Sequence, residues 1–178
     1  MVAFAVGATA GGVLTAVAAW VVSGFTAWWP GQVRLVLLVG IAAVLLLRQA
    51  GVIAVRLPQN ARQVPQAVYL RSPVVANAQF GFEMGTGMRT LVTAVAPYLL
   101  LALLVLFPPT APWTVLGVGA VFGFVRGLVP VLWSSASWRG AGARAQWDAM
   151  FTRSRTLIGW IALLTCGAGA TLVVLSHW

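Results

Sequence analysis

Residues Val2–Gly24 read VAFAVGATAGGVLTAVAAWVVSG, an apolar run that contains no charged side chain. A helix needs about 20 mainly apolar residues to cross the roughly 30 Å hydrocarbon core of a bilayer. The run therefore predicts a membrane-spanning helix. The triplet Ala16-Val17-Ala18 within it resembles a signal-peptide cleavage site, but no Lys or Arg precedes the run, which favours a retained span over a signal peptide.

The rest of the chain has the same character. Of its 178 residues, 61% are hydrophobic and 7% are charged, whereas soluble domains are about 25% charged. This composition excludes a soluble enzyme and a disordered chain. We predict an all-α fold, a polytopic membrane helix bundle that forms a single transmembrane domain over residues 1–178, with about five spans at residues 2–24, 33–55, 87–107, 113–133 and 157–175.

Two long connections, residues 56–86 and 134–156, separate these spans and carry most of the polar side chains. In the second connection, Trp147, Met150 and Phe151 follow the i, i+3, i+4 spacing of one helix face. This spacing predicts an amphipathic helix over about residues 141–152 that lies on the inner membrane surface.

The arginines set the expected orientation. The chain has 11 basic residues, all Arg, against two acids, for a formal charge of +9. Cytoplasmic loops retain Lys and Arg, and nine of the arginines flank or fill the two long connections: Arg48, Arg56, Arg62, Arg71, Arg89, Arg139, Arg144, Arg153 and Arg155. We therefore expect a cytoplasmic N-terminus, cytoplasmic long connections and an external C-terminus. The alternative is a sixth span between Arg71 and Arg89, which would place the C-terminus in the cytoplasm.

The same arginines predict which partners the chain meets. Basic residues near the surface attract the anionic lipids of the inner leaflet. Their scatter through short loops opposes nucleic-acid binding, which needs a basic folded face. A chain rich in Ala, Gly, Val, Pro and Arg but without Lys points to the inner (plasma) membrane of a GC-rich bacterium.

Catalytic groups are scarce in this sequence. The chain has one His (His177), one Cys (Cys166) and two acids (Glu83 and Asp148), none of them close to another in sequence. A metal site needs three or four such ligands, and a catalytic triad needs a His beside an acid. We predict no metal site, no cofactor and no catalytic residue, so the chain is not expected to be an enzyme.

Glycines recur at helical spacing in two of the spans. Gly119, Gly123 and Gly127 follow one another every four residues, and Gly7 and Gly11 repeat this spacing. Each set forms a bare stripe that lets another helix approach closely, which is how apolar helices associate in lipid. We predict helix packing at both stripes, within the chain or against other membrane subunits or a second copy.

Arg126 lies inside the fourth predicted span, where a guanidinium group either extends to the lipid headgroups or pairs with an acid. Asp148 can pair with Arg144 on its own helix, which leaves Glu83. We predict a Glu83–Arg126 pair that joins the third and fourth spans.

The stretch Gly81–Arg89 reads GFEMGTGMR and precedes the third predicted span. It lacks the pattern of a phosphate-binding P-loop. One interpretation is close helix packing at small residues. The other is a break at the inner mouth of the span, where freed N–H groups at Gly85 and Gly87, together with Arg89, hold an anion or a lipid phosphate.

Three function classes remain open. The first is a non-catalytic membrane subunit that packs into and stabilises a larger complex. The second is a small carrier for an anionic or small polar solute, built around Arg126, Glu83 and the start of the third span. The third is a thiol-redox conductor. The Gly85-Thr86-Gly87 pattern, followed by an apolar segment with Pro97-Tyr98, is loosely similar to the small disulfide-transferring membrane proteins of the cytochrome c biogenesis type, but their cysteine pair is missing.

Overall fold

The fold is all-helical. The structure is a computed structural model that describes residues 1–57, 72–87 and 95–137, and after these residues 142, 145–146, 149–150, 152–154, 157, 159–161, 164 and 167–168. The helices of its continuous segments are α1 (Val2–Ser23), α2 (Gly31–Gln49), α3 (Pro73–Gly85), α4 (Ala96–Leu106) and α5 (Pro112–Ser137). No strand occurs among the described residues, and the predicted all-α class is confirmed.

Three of these helices are long and apolar enough to cross a membrane. They are α1, α2 and the Pro112–Leu132 part of α5. An apolar helix of this length indicates a membrane protein. Helix α4 is apolar but shorter, and the expected total of five spans stays a prediction.

Prolines and left-handed glycines set several helix ends. Pro73 and Pro112 open α3 and α5, where the fixed φ of proline suits the first turn. Gly51 follows α2 with φ 76°. Its N–H donates to the Arg48 carbonyl at 3.0 Å and the next N–H donates to the Leu47 carbonyl at 2.9 Å, which is the Schellman pattern of a helix end. Helix α2 therefore ends at Gln49, short of the predicted span end at residue 55.

Helix α1 lies at the centre and contacts both α3 and α5. A Cβ placed on Gly7 would overlap the Ala78 carbonyl oxygen, and one on Gly11 would overlap that of Phe82. Residues further along α1 therefore contact residues further along α3, so the two helices run parallel. Along α5 they run in the opposite order, since Gly119 faces Gly12 and Gly127 faces Ala8. We call these three helices the glycine-packed unit.

The third predicted span, residues 87–107, contains helix α4, and its residues 88–94 lie outside the described part of the chain. Helix α3 already runs from Pro73 to Gly85, inside the expected polar connection 56–86, and α4 begins only at Ala96. Together the two short helices follow α1 from Phe4, which faces Gly81, to Thr26, whose hydroxyl donates to the Val105 carbonyl at 2.6 Å. The polar side chains of α3 gave the segment a low hydropathy, whereas the helix is buried through contacts at its glycines.

Helices α2 and α4 meet through side chains. The leucine cluster between them comprises Leu38, Leu45, Val95, Leu99, Leu106 and Phe107, with Trp160 packed against it. Trp160 belongs to the fifth predicted span, residues 157–175, of which residues 157, 159–161, 164 and 167–168 are described and helical. In the predicted amphipathic segment, Met150 is helical and 61% exposed, while Trp147 and Phe151 lie outside the described residues.

Candidate functional site at a helix break

Several polar contacts come together at the end of α3. Gly87 has φ 68°, a left-handed conformation that glycine adopts at little cost. A Cβ on it would also lie 3.2 Å from the Phe122 ring. The Thr15 hydroxyl of α1 donates to the Thr86 carbonyl at 3.0 Å. Because Thr15 lies well inside α1, the end of α3 packs against the middle of that helix.

The last carbonyl groups of a helix have no partner within the helix, and in an apolar environment each needs one. At the end of α3, the Glu83 carbonyl accepts from the Thr86 hydroxyl at 2.8 Å, and the Phe82 carbonyl accepts from the Thr86 N–H at 3.1 Å. The Met84 carbonyl accepts from Arg126 Nε at 2.7 Å. The break is therefore held by side chains from α1 and α5 as well as by its own residues.

Arg126 lies opposite the C-terminus of α3. A cation there is favourable, since a helix carries about half a negative charge at its C-terminus. The guanidinium group bonds to the carbonyl of the residue that follows Glu83. The structure thus brings Arg126 to the same turn of α3 as Glu83 and joins α5 to α3. The Glu83–Arg126 ion pair itself stays a prediction.

Gly85 and Gly87, two of the three residues of the predicted anion site, have different neighbours in the structure. Gly85 is buried, and a Cβ on it would overlap the Ala8 carbonyl oxygen, so its lack of a side chain serves the contact with α1. Gly87 lies against the Phe122 ring. Arg89, the third member of the set, lies outside the described residues. An anion held by Gly85, Gly87 and Arg89 together stays a prediction.

All five glycines that were predicted to pack helices lie at contacts within the chain. Gly7 and Gly11 face α3, and a Cβ on Gly123 would overlap the Ala8 carbonyl oxygen. A Cβ on Gly119 or Gly127 would come 2.7 Å from the Ala16 Cβ and 2.9 Å from the Ala8 Cβ, respectively. The sequence reasoning did not single out Gly12 and Gly81, which make equally close backbone contacts with α5 and α1. The adjacent pair Gly11-Gly12 is the signal that could have found one of them, because consecutive residues face different neighbours on a helix.

A small cavity of about 20 Å³ borders the break, which is roughly the room of one water molecule. Its lining includes Thr15, Thr86, Tyr98 and Phe122, from four different helices or their ends. Tyr98 also packs against the leucine cluster. Tyr98, a residue of α4, therefore contacts both the glycine-packed unit and the leucine cluster between α2 and α4.

Arg34 bonds to the C-terminal end of α4, as Arg126 bonds to the C-terminal end of α3. Its Nη1 donates to the Leu106 carbonyl at 3.3 Å, and its guanidinium carbon lies 5.5 Å from the centre of the Phe107 ring, within the range of a cation–π contact. Its Nε is buried and has no hydrogen-bond partner among the described residues. The sequence did not single out Arg34, because its partner is a backbone carbonyl, which no side-chain motif reveals.

The chain matches no protein-family model, no curated protein and no solved structure. In the described part of the chain, no three His, Cys, Asp or Glu side chains come together. Cys166, on which a thiol-redox function would depend, lies outside that part.

Proposed function

We propose that this chain is a non-catalytic integral membrane subunit that packs into and stabilises a larger membrane complex, with other proteins or with its own copies. The observation that carries the proposal is the closed interior of the glycine-packed unit. Helix α1 meets α3 and α5 backbone to backbone, and the cavity beside the break measures about 20 Å³. Pockets for small molecules are of the order of several hundred Å³. A space of that size, about 730 Å³, lies along α1 beside Phe124, but it is an open apolar groove. The packed core therefore suits the holding of helices better than the passage of a solute.

Helix α2 offers the surface for a partner. Only 11% of the 18-residue apolar stretch of α2 is buried inside the protein, against 39% of the corresponding stretch of α1. On its outer side, Gly40 has no atom within 4 Å of an added Cβ, and Val36 and Val44 lie one turn away on either side, 70% and 43% exposed. A bare glycine between two valines lets a second membrane helix approach closely.

The proposal is tested by extracting the full chain from its own membrane in a mild detergent and measuring the mass of the intact assembly. We expect a fixed mass well above the 18.7 kDa of one chain. Gly40→Leu should release single chains, because its side chain fills the approach to α2. Gly117→Leu is the matched control, since Gly117 of α5 also faces open space. Recovery of the unaltered protein as single chains would contradict the proposal.

A second candidate function is a small carrier for an anionic or small polar solute. It is favoured by the break between α3 and α4, because carriers form their substrate sites at discontinuous helices. Arg126 and Glu83 lie at that break, and Pro97 follows it. Vesicles that contain only this chain and take up labelled inorganic phosphate, with loss of uptake in Arg126→Gln, would favour the carrier over the subunit.

For the location of the chain we propose the inner (plasma) membrane of a bacterium, with the N-terminus in the cytoplasm. The proposal is supported by nine arginines that flank or fill the two long connections. With five spans, a reporter fused after Trp178 should be active outside the cytoplasm. Cytoplasmic activity of this reporter would instead indicate an even number of spans.

A further inference from the structure

Three aromatic side chains are strongly exposed at one end of the helix bundle. Phe25 is 73% exposed, Trp28 is 78% exposed and Trp113 is 76% exposed. Of the aromatic side chains that the structure describes, no other is more than half exposed. Phe25 and Trp28 lie in the turns that follow α1, and Trp113 is the second residue of α5. We call this end of the bundle the aromatic end.

Four helix ends meet at the aromatic end. The Thr26 hydroxyl, just after α1, donates to the Val105 carbonyl near the end of α4 at 2.6 Å. Arg34, in the first turn of α2, donates to the Leu106 carbonyl at 3.3 Å. Val115, near the start of α5, belongs to a buried cluster with residues of α1 and α4. The three exposed rings therefore share one level of the bundle, although they come from two distant parts of the sequence.

The chemistry of this surface fits the boundary between hydrocarbon and water. The segments that build it, residues 20–33 and 104–118, contain no charged side chain, and Arg34 is bonded to the end of α4. An indole ring is apolar but carries one N–H donor, so it is favoured at the level of the lipid headgroups. Exposed rings on an uncharged surface therefore match the headgroup layer of a bilayer.

The length of α2 also fits a bilayer. This helix runs from Gly31, at the aromatic end, to Gln49, and its 19 residues correspond to about 28 Å. Arg48 lies in its last turn, where the Nε donates to the Val55 carbonyl at 2.8 Å in an exposed position. The hydrocarbon core of a bilayer is about 30 Å thick, and basic side chains near a helix end extend to the headgroups. The rings and Arg48 are thus about one core thickness apart.

We propose that Phe25, Trp28 and Trp113 form an anchoring surface that lies in the headgroup layer at one face of the membrane. This position also sets the depth of the helix break. Thr15 lies eight residues, or about 12 Å, before the end of α1, and its hydroxyl bonds to Thr86. The break between α3 and α4 therefore lies near the middle of the hydrocarbon core. This anchoring role goes beyond the proposed subunit function and does not depend on it.

The test measures the depth of nitroxide spin labels on single cysteines of the full chain in phosphatidylcholine vesicles, with Cys166→Ala as the background. The depth of a label follows from its collision rates with oxygen, which concentrates in hydrocarbon, and with a water-soluble nickel complex. Labels are placed in Trp28→Cys and Trp113→Cys. The matched controls are Leu14→Cys of α1 and Val121→Cys of α5, at positions 53% and 63% exposed.

We expect the labels on Trp28→Cys and Trp113→Cys to report the same shallow depth. Because eight residues of α5 separate Trp113 from Val121, the label on Val121→Cys should lie about 12 Å deeper. The proposal is overturned if a label at the aromatic end is as deep as its control or lies in free water. Shielding of that label from both reagents would indicate a protein contact and would overturn the proposal as well.

The anchoring role is tested separately by removing the rings. The depth of the label on Val121→Cys is measured again with Trp28→Ala and Trp113→Ala combined. We expect this depth to shift, and to be restored by Trp28→Tyr with Trp113→Tyr, since Tyr is also favoured at the headgroup level. Phe124→Ala is the matched control and should leave the depth unchanged, because Phe124 is 47% exposed and lies along α5 away from the aromatic end. An unchanged depth without both tryptophans, or an equal shift in Phe124→Ala, would overturn the anchoring role.

Discussion

Where α1 meets α3 and α5, the helices touch backbone to backbone at glycines, whereas α2 and α4 meet through leucine and phenylalanine side chains. The glycine-packed unit gains its contacts from close approach and from hydrogen bonds such as that of Thr15 to Thr86. The leucine cluster gains them from interlocking side chains.

The two kinds of contact differ in how lipid competes with them. Lipid tails are as apolar as leucine, so they can replace leucine side chains at modest cost. They cannot replace a backbone contact at glycine, where the neighbouring helix fills a space that is too narrow for a tail. We therefore expect the glycine-packed unit to hold one fixed geometry and α2 to separate from α4 more readily.

The largest effect should follow from widening a glycine contact. In Gly123→Val, the new side chain would overlap the Ala8 backbone, which cannot move without shifting α1. We expect a loss of about 3 kcal/mol or more in the free energy of unfolding, measured by denaturant titration in detergent. Gly117→Val on the same helix controls for the change in helix propensity, because Gly117 faces open space. Equal losses in both variants would show that helix propensity, and not the contact, is responsible.

A smaller effect is expected from the leucine cluster. Leu45→Ala removes a side chain that is 4% exposed and should cost about 2 kcal/mol, at the low end for a buried leucine because lipid can refill the space. Leu46→Ala, at a position 41% exposed on the same helix, should cost little. If Leu45→Ala destabilises the protein more than Gly123→Val does, the contrast between the two packing arrangements is wrong.

The predicted Glu83–Arg126 pair can be tested within the glycine-packed unit by a double-mutant cycle. We expect Glu83→Gln and Arg126→Gln to be coupled by about 1 kcal/mol, since both groups are half-buried and act on one turn of α3. The readout is again the free energy of unfolding. Strictly additive losses would mean that Arg126 acts only through the Met84 carbonyl.

The smallest expected effect lies at the contact of α4 with the end of α1. Thr26→Val removes the hydroxyl that donates to the Val105 carbonyl at 2.6 Å, and should cost about 0.5–1 kcal/mol. Thr9→Val is its control, since the Thr9 hydroxyl donates to the Ala5 carbonyl of its own helix. A loss in Thr9→Val as large as that in Thr26→Val would show that the bond between the helices has no special weight.

Long apolar runs in the sequence predicted the all-α class. The spacing of four residues pointed to the packing glycines, because residues four apart lie on the same face of a helix. Sequence patterns placed α3 in a polar connection and allowed a helix there only as an alternative sixth span between Arg71 and Arg89. Its Asn77, Gln79 and Glu83 lower its hydropathy, while Gly81 and Gly85 provide contacts that hydropathy does not count.

Other contacts leave no trace in residue types. In the apolar α2 sequence, nothing distinguishes the buried Leu38 and Leu45 from their exposed neighbours, because both faces are apolar. Arg126 and Arg34 bond to backbone carbonyls at helix ends, and every residue has a carbonyl. A search for acids as their partners could therefore find Glu83 but not the ends of α3 and α4.

The shortness of α3 and α4 has a consequence for biogenesis. Their 13 and 11 residues correspond to about 20 Å and 16 Å of helix, each less than the thickness of a bilayer core. Neither can enter the membrane as an independent unit during synthesis. Helix α1 precedes α3 in the chain, so we expect α3 to assemble against the surface of α1 that Gly7 and Gly11 form. A larger side chain at Gly7 or Gly11 should therefore leave residues 73–106 accessible to proteases, even in chains whose α1 is fully inserted.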